Sequence, residues 1–239
     1  MPSLLNGRHR RTRSTDRLTP AILALATALF VGCSSAAVGG GSQTTVTLID
    51  PEARAVRIDT TGCEFTSDHF GSGVTIGGNQ VVTVAHLIAR AETVTVSVAG
   101  GDPKVAEVVA LDVQKDLAML RIAGVEVPEV HVTTADAGTS GHIVGAAASG
   151  TVTFEVKRRV DLRIEDVLGT ERHSRLGYEV SAVTTDGDSG AGAYDDDGGL
   201  VGIVFATGRD GSTSWLTASD EIEAFRSSLE PNTSYAACQ

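Results

Sequence analysis

The stretch Val81-Val82-Thr83-Val84-Ala85-His86-Leu87-Ile88-Ala89-Arg90-Ala91-Glu92-Thr93-Val94-Thr95-Val96-Ser97-Val98 carries two β-branched runs, and the second alternates apolar with small polar residues. Strict alternation places one set of side chains on each face of an extended chain, the pattern of a half-buried strand. The same signature recurs on both sides. Upstream lie Ala55-Val56-Arg57-Ile58-Asp59 and Gly73-Val74-Thr75-Ile76. Downstream come Leu117-Ala118-Met119-Leu120-Arg121-Ile122, Val152-Thr153-Phe154-Glu155-Val156 and Val201-Gly202-Ile203-Val204-Phe205. Gly-Gly, Gly-Asn and Asp-Gly turn signals separate many of these runs. Many short strands at such spacing predict an all-β sandwich or barrel instead of alternating strand–helix units.

One helix is expected after the last strand. Ser219 suits an N-cap, Asp220 and Glu221 suit the positive end of the dipole, and Pro231 suits a stop. Ile222, Phe225 and Leu229 fall on one face, so this helix is expected to pack on the body. The run Asp195-Asp196-Asp197-Gly198-Gly199 reads as a solvated hairpin turn, because the spaced ligands of a calcium loop are missing.

The chain has 239 residues, 41% hydrophobic and 4% aromatic, which bounds it to one domain or two small ones sharing a core. Its apolar content is too high and too patterned for disorder. Of the 19 basic residues, Arg8, Arg10, Arg11, Arg13 and Arg17 lie within residues 1–32, which hold one acid, Asp16. The remainder carries 14 basic against 29 acidic residues. Phosphate backbones need a Lys/Arg surface, so nucleic acid is disfavoured as a partner.

After the basic stretch comes an apolar run, Ala21 to Gly32, too short to cross a hydrocarbon core of ~30 Å. A basic segment, a short apolar segment and then small residues read as a secretory signal. Phe30-Val31-Gly32-Cys33 resembles the bacterial lipobox, with Phe30 in place of the commoner Leu. That resemblance implies a lipoprotein signal over residues 1–32, lipidation of Cys33, and anchorage on the outer face of a cytoplasmic membrane or in an outer membrane. Residues 33–52 read as a flexible tether, with Ser34-Ser35-Ala36-Ala37-Val38-Gly39-Gly40-Gly41-Ser42 of linker type. The folded body is expected to begin near Ala53. Cys63 and Cys238, an even pair in an exported chain, are expected to form a disulfide. In the chain-entropy model, closing so long a loop stabilises the fold by roughly 5 kcal/mol.

A hydroxyl becomes a useful nucleophile when an imidazole accepts its proton, and the imidazole needs a carboxylate to fix its tautomer. Thr83-Val84-Ala85-His86 ends one strand, Asp116-Leu117-Ala118-Met119-Leu120 begins another, and Gly187-Asp188-Ser189-Gly190 lies in a Gly-rich loop. In that order these segments resemble the trypsin-like, chymotrypsin-fold serine peptidases. The resemblance spans roughly Ala53 to Leu229. It implies two six-stranded antiparallel β-barrels packed together, about 53–127 and 128–239, with a C-terminal helix. By the same resemblance Ser189 is the nucleophile, His86 the general base and then acid, and Asp116 the orienting carboxylate. The N–H groups of Gly187 and Ser189 would form the oxyanion hole, with no metal or cofactor and a protein or peptide as substrate. Asp112 competes with Asp116 for the carboxylate role. His69, His131, His142 and His173 read as structural or surface residues.

Chain order removes one rival. Gly187-Asp188-Ser189-Gly190-Ala191 nearly matches the nucleophile elbow of α/β-hydrolases, but no histidine follows Ser189 to complete that triad. A zincin motif is also missing from the sequence. The resemblance further places Val183, six residues before Ser189, at the base of the specificity pocket. Gly202-Ile203-Val204-Phe205-Ala206-Thr207 resembles the family's Gly-Ile-Val-Ser-Trp-Gly and brings Phe205 and Thr207 to the pocket wall. Val183 offers no charge and Thr207 narrows the entrance, so small or medium apolar side chains are expected before the scissile bond. Asp188 matches the residue that pairs with a freed N-terminal amine in zymogen-type relatives, and on a tethered chain it needs another partner. Two alternatives stay open: a catalytically silent peptidase-like binding module, and an esterase using the same triad.

Overall fold

The first strand is built on alternation of more and less buried residues. In β1 (Ala55–Gly62), Val56 and Ile58 are fully buried between less buried Arg57 and Asp59. The structure, a computed structural model, describes residues 50–62, 69–146 and 150–229. The expected signal segment 1–32, Cys33, Cys63, Pro231 and Cys238 lie outside the described residues, as does most of the expected tether. The described residues begin at Asp50, three residues before Ala53. The Asp50 carboxylate accepts from the N–H of Glu52 and caps a one-turn helix, α1 (Pro51–Arg54), with Pro51 at its first position.

β1 is followed by β2 (His69–Gly77), β3 (Gln80–Thr83), β4 (Ala91–Val98), β5 (Lys104–Asp112) and β6 (Leu117–Ile122). They pair antiparallel in the order β1-β2-β3-β6-β5-β4, and β4 returns to β1, so the sheet is a closed barrel. β7 (Ser140–Val144), β8 (Thr151–Glu165), β9 (Arg172–Ser181), β10 (Gly192–Asp195), β11 (Leu200–Thr207) and β12 (Thr213–Ala218) repeat that plan. Their order is β7-β8-β9-β12-β11-β10, and β10 closes onto β7. Within each barrel, closure gives the first and last strands backbone partners.

The first barrel's core, with Val74, Val82, Leu117, Met119 and Leu120 all fully buried, runs on into Val144, Tyr194, Leu200 and Ile203 of the second barrel. The two barrels therefore share an apolar seam, and the loops at that seam are held from both sides. Buried Arg54 supports the connection, its guanidinium donating to the carbonyls of Thr75, Pro128 and Glu129. β8 and β9 continue past the second barrel as an arm, paired as far as Glu165 with Arg172 and largely exposed beyond Val156.

The C-terminal helix α3 (Ser219–Ser227) buries Ile222 and Phe225, and Leu229 packs beside them. Ser219 is not its cap. β12 runs directly into the helix, Ala218 takes the cap position in extended conformation, and the Ser219 hydroxyl donates to the Thr133 carbonyl at 2.6 Å. The Asp195–Gly199 run is a hairpin turn between β10 and β11. Asp195 Oδ1 accepts from the N–H groups of Asp197 and Gly199, and Gly198 supplies the left-handed residue at φ +80°.

Candidate active site

His86 stands on α2 (Ala85–Ile88), a single turn directly after β3. Its neighbours Ala85, Leu87 and Ile88 are buried and fix the turn, while the imidazole is about two-fifths exposed. Asp116, 6% exposed, is the last residue before β6 and sits at φ +56°. Aspartate tolerates the left-handed region better than most residues, at a cost of about 1–2 kcal/mol. The result is a two-point grip. Asp116 Oδ1 accepts from the His86 backbone N–H at 2.8 Å, and the ring Nδ1 lies 3.1 and 2.9 Å from Oδ1 and Oδ2. Asp112 faces elsewhere: its Oδ1 accepts from the N–H groups of Gln114 and Lys115 and closes its own turn.

Ser189 lies in the loop between β9 and β10, and three bonds pin that loop, two of them across the seam. The Ser72 N–H of β2 donates to the Ser189 carbonyl at 2.8 Å, and the fully buried Ser72 hydroxyl donates to the Gly187 carbonyl at 2.8 Å. From the second barrel itself, the Val204 carbonyl accepts from Gly190 N–H. Gly187 and Gly190 take φ values of +94° and +85°. A methyl on Gly190 would come within 2.0 Å of the Ser72 carbonyl oxygen and 2.5 Å of Thr83 Oγ1. Gly190→Ala is therefore expected to destabilise the fold by about 3 kcal/mol or more. Thermal unfolding checks this, with an expected loss of roughly 6–12 °C for a domain of this size.

His86, Leu87, His69 and Phe70 from the first barrel and Asp186, Gly187 and Ser189 from the second line one cleft of about 430 Å³. His69, read from sequence as a structural or surface residue, thus belongs to the wall of the cleft. Phe70 is 44% exposed there, with the Arg57 guanidinium 4.7 Å from its ring centroid and Asp59 holding Arg57. The Asp188 carboxylate, fully buried, accepts from Thr185 N–H at 2.7 Å and from the Thr185 hydroxyl at 3.4 Å, so its own loop supplies donors.

The expected pocket residues are placed differently. Val183 is 61% exposed, where a pocket base would be buried. The Phe205 ring is covered by the Arg175 guanidinium at 3.8 Å from its centroid, so that face is not open to a substrate side chain. Thr207 Oγ1 lies 2.7 Å from Thr184 Oγ1, which also lies 2.7 Å from Ser214 Oγ, and Ser214 donates to the Ala182 carbonyl. These hydroxyls tie the segment before the nucleophile loop to β11 and β12. Burial draws the Arg175 guanidinium below its usual range, against the pull of Asp116, Glu221 and Asp112.

Twin antiparallel barrels that gather an imidazole, its carboxylate and a loop-borne serine at their seam define the class of two-barrel serine hydrolases. Residues 71–203 match the family model described as Trypsin-like peptidase domain, and the chain belongs to that family. Serine protease Rv3671c of Mycobacterium tuberculosis is 30% identical over 159 residues, which cover 64% of this chain and 40% of that protein. The crystal structure of the active form of the Rv3671c protease superposes with a TM-score of 0.72 at 23% identity, covering 79% of this chain and 85% of that one. The HtrA-type protease AlgW, solved with a tripeptide, gives 0.63 at 20% identity over 76% of this chain and 62% of that one.

Proposed function

We propose that the chain is an exported serine endopeptidase that hydrolyses peptide bonds through an acyl-enzyme on Ser189. The observation that carries this reading is the two-point hold of Asp116 on His86 in the cleft that Ser189 lines. With Nδ1–H donated to Asp116, the His86 Nε2 lone pair is free to take a proton from the serine hydroxyl. Ser189 Oγ then bonds to the substrate carbonyl carbon, and the N–H groups of Gly187 and Ser189 meet the developing oxyanion. The imidazolium gives its proton to the departing amine as the C–N bond breaks. Water repeats the sequence, His86 taking its proton as it attacks the ester and returning it to Ser189 Oγ. His86 must be neutral to act as the base. Labelling of the wild-type protein by a fluorophosphonate, but not of Ser189→Ala, tests the reading. An unlabelled wild type would instead fit a catalytically silent binding module.

The substrate side chain before the scissile bond is small or medium and apolar, a reading supported by Thr207, whose branched side chain stands at the expected pocket entrance with its Oγ1 2.7 Å from Thr184 Oγ1. Discrimination among such residues is worth only ~1–3 kcal/mol per methylene, so a peptide library should show a preference without strictness. Dominant cleavage after Lys or Arg would overturn it.

The anchor is lipid on Cys33, the reading supported by Phe30-Val31-Gly32-Cys33 after a basic and a short apolar segment. Among the described residues no helix is long and apolar enough to span a membrane. Wild type should fractionate with membranes and Cys33→Ser with soluble protein. Identical soluble behaviour of both would remove the anchor.

A further inference from the structure

The carboxylate that holds His86 is itself backed by a guanidinium that takes no part in the proton transfers. Arg175, on β9, is 3% exposed. Its Nη1 donates to the Lys115 carbonyl at 2.8 Å and stands 3.6 Å from Asp116 Oδ2. The ring of Phe205 covers its face. The same arm grips the loop that presents Asp116 at two more points. Val167 N–H donates to the Val113 carbonyl, and Lys115 Nζ donates to the Ser174 carbonyl. Desolvating an arginine is unfavourable unless its charge is answered, and here one of the carboxylates that answer it belongs to the reacting constellation.

We propose that Arg175 is a positioning residue that fixes Asp116 against His86 and offsets part of its charge, so that His86 acts as a base at lower pH than Asp116 alone would allow. The proposal takes its meaning from the peptidase reading, but its physical test does not depend on it. A lone carboxylate on Nδ1–H favours the imidazolium, and a fixed positive charge behind that carboxylate opposes it. The other charged groups nearby are set in their own pairs or on the cleft side. Lys115 bonds to Glu221 of α3, Asp112 closes its own turn, Asp188 bonds within the nucleophile loop, and His69 and Asp186 line the cleft. Replacing Arg175 alters none of these charges, so a displacement reports on Arg175.

The experiment compares the full chain with Arg175→Met and Arg175→Lys. In Arg175→Met the acid limb of the kcat/KM profile should move to higher pH by about one unit. Arg175→Lys, which keeps the charge, should hold the limb within a few tenths of wild type. If Arg175→Met does not fold, Arg175→Gln carries the same expectation, since it keeps a donor for the Lys115 carbonyl without the charge. A folded neutral variant whose limb coincides with wild type overturns the proposal. The His86 ring nitrogens, followed by NMR in a Ser189→Ala background with and without Arg175→Met, should show the same upward displacement. Coincident titrations there overturn it too. That measurement requires no catalysis: failure of fluorophosphonate labelling in the wild type would sink the peptidase reading, while the imidazole titration still decides the role of Arg175.

Discussion

Ser189→Ala is expected to lower kcat/KM on a peptide substrate by about five to six orders of magnitude, the scale on which serine hydrolases respond to loss of the nucleophile. Adding His86→Ala should cost almost nothing further, because base and nucleophile act as one unit. The fold should not notice the change. The side chain removed is one half-exposed hydroxyl, and the contacts that hold the loop are made by the Ser189 carbonyl, Ser72 and Gly190, not by Oγ. Steady-state kinetics together with thermal unfolding checks both halves. Peptidase activity surviving in Ser189→Ala would remove Ser189 from the reaction, and a large drop in melting temperature would show that its hydroxyl is structural.

The strands that could be read from sequence are apolar runs on a barrel wall, several rich in β-branched residues. Val94–Val98 and Val81–Thr83 fall inside β4 and β3, and Leu117–Ile122 coincides with β6. Others were hidden for physical reasons. β12 is buried through Thr213, Ser214 and Thr217 as much as through Leu216, and a hydrophobicity pattern does not register buried hydroxyls. β10 has four residues and opens on glycine. β9 and the outer half of β8 form a charged arm whose outer part is largely exposed, so it shows no clean apolar stripe. Periodicity could suggest a barrel, but the count of two six-stranded barrels came through the resemblance.

For the site, the motifs brought His86, Asp116 and Ser189 forward because their local sequence is distinctive. Partners that depend on tertiary distance left no such mark. Ser72 reaches the Gly187 carbonyl across 115 positions, and its only local sign is its place between Gly71 and Gly73, where backbones approach closely. Arg175 was one arginine among several in a charged hairpin, and its link to Lys115 spans 60 positions. The engaged face of Phe205 likewise depends on its meeting with Arg175 of the arm, a tertiary contact that one-dimensional spacing does not encode.

Asp112 and Asp116 also looked alike in sequence, each bordering a strand, and the second large effect separates them. Asp116→Asn is expected to lower kcat by roughly four orders of magnitude with a small change in KM, the scale of the same substitution in the template triad. Asp116 receives two donors from His86, its backbone N–H and its ring Nδ1–H, and a carboxylate accepts both. Asparagine has one acceptor oxygen. If that oxygen keeps the backbone N–H, the amide NH₂ faces Nδ1 and turns it into an acceptor. The ring proton then resides on Nε2, which can no longer take the proton of Ser189. Asp112→Asn should leave kcat near wild type, because asparagine can accept from the N–H groups of Gln114 and Lys115 in the same turn. Full kinetics on the two variants, with melting curves to confirm folding, decides between the carboxylates. Wild-type kcat in Asp116→Asn, or a loss confined to Asp112→Asn, would transfer the orienting role to Asp112.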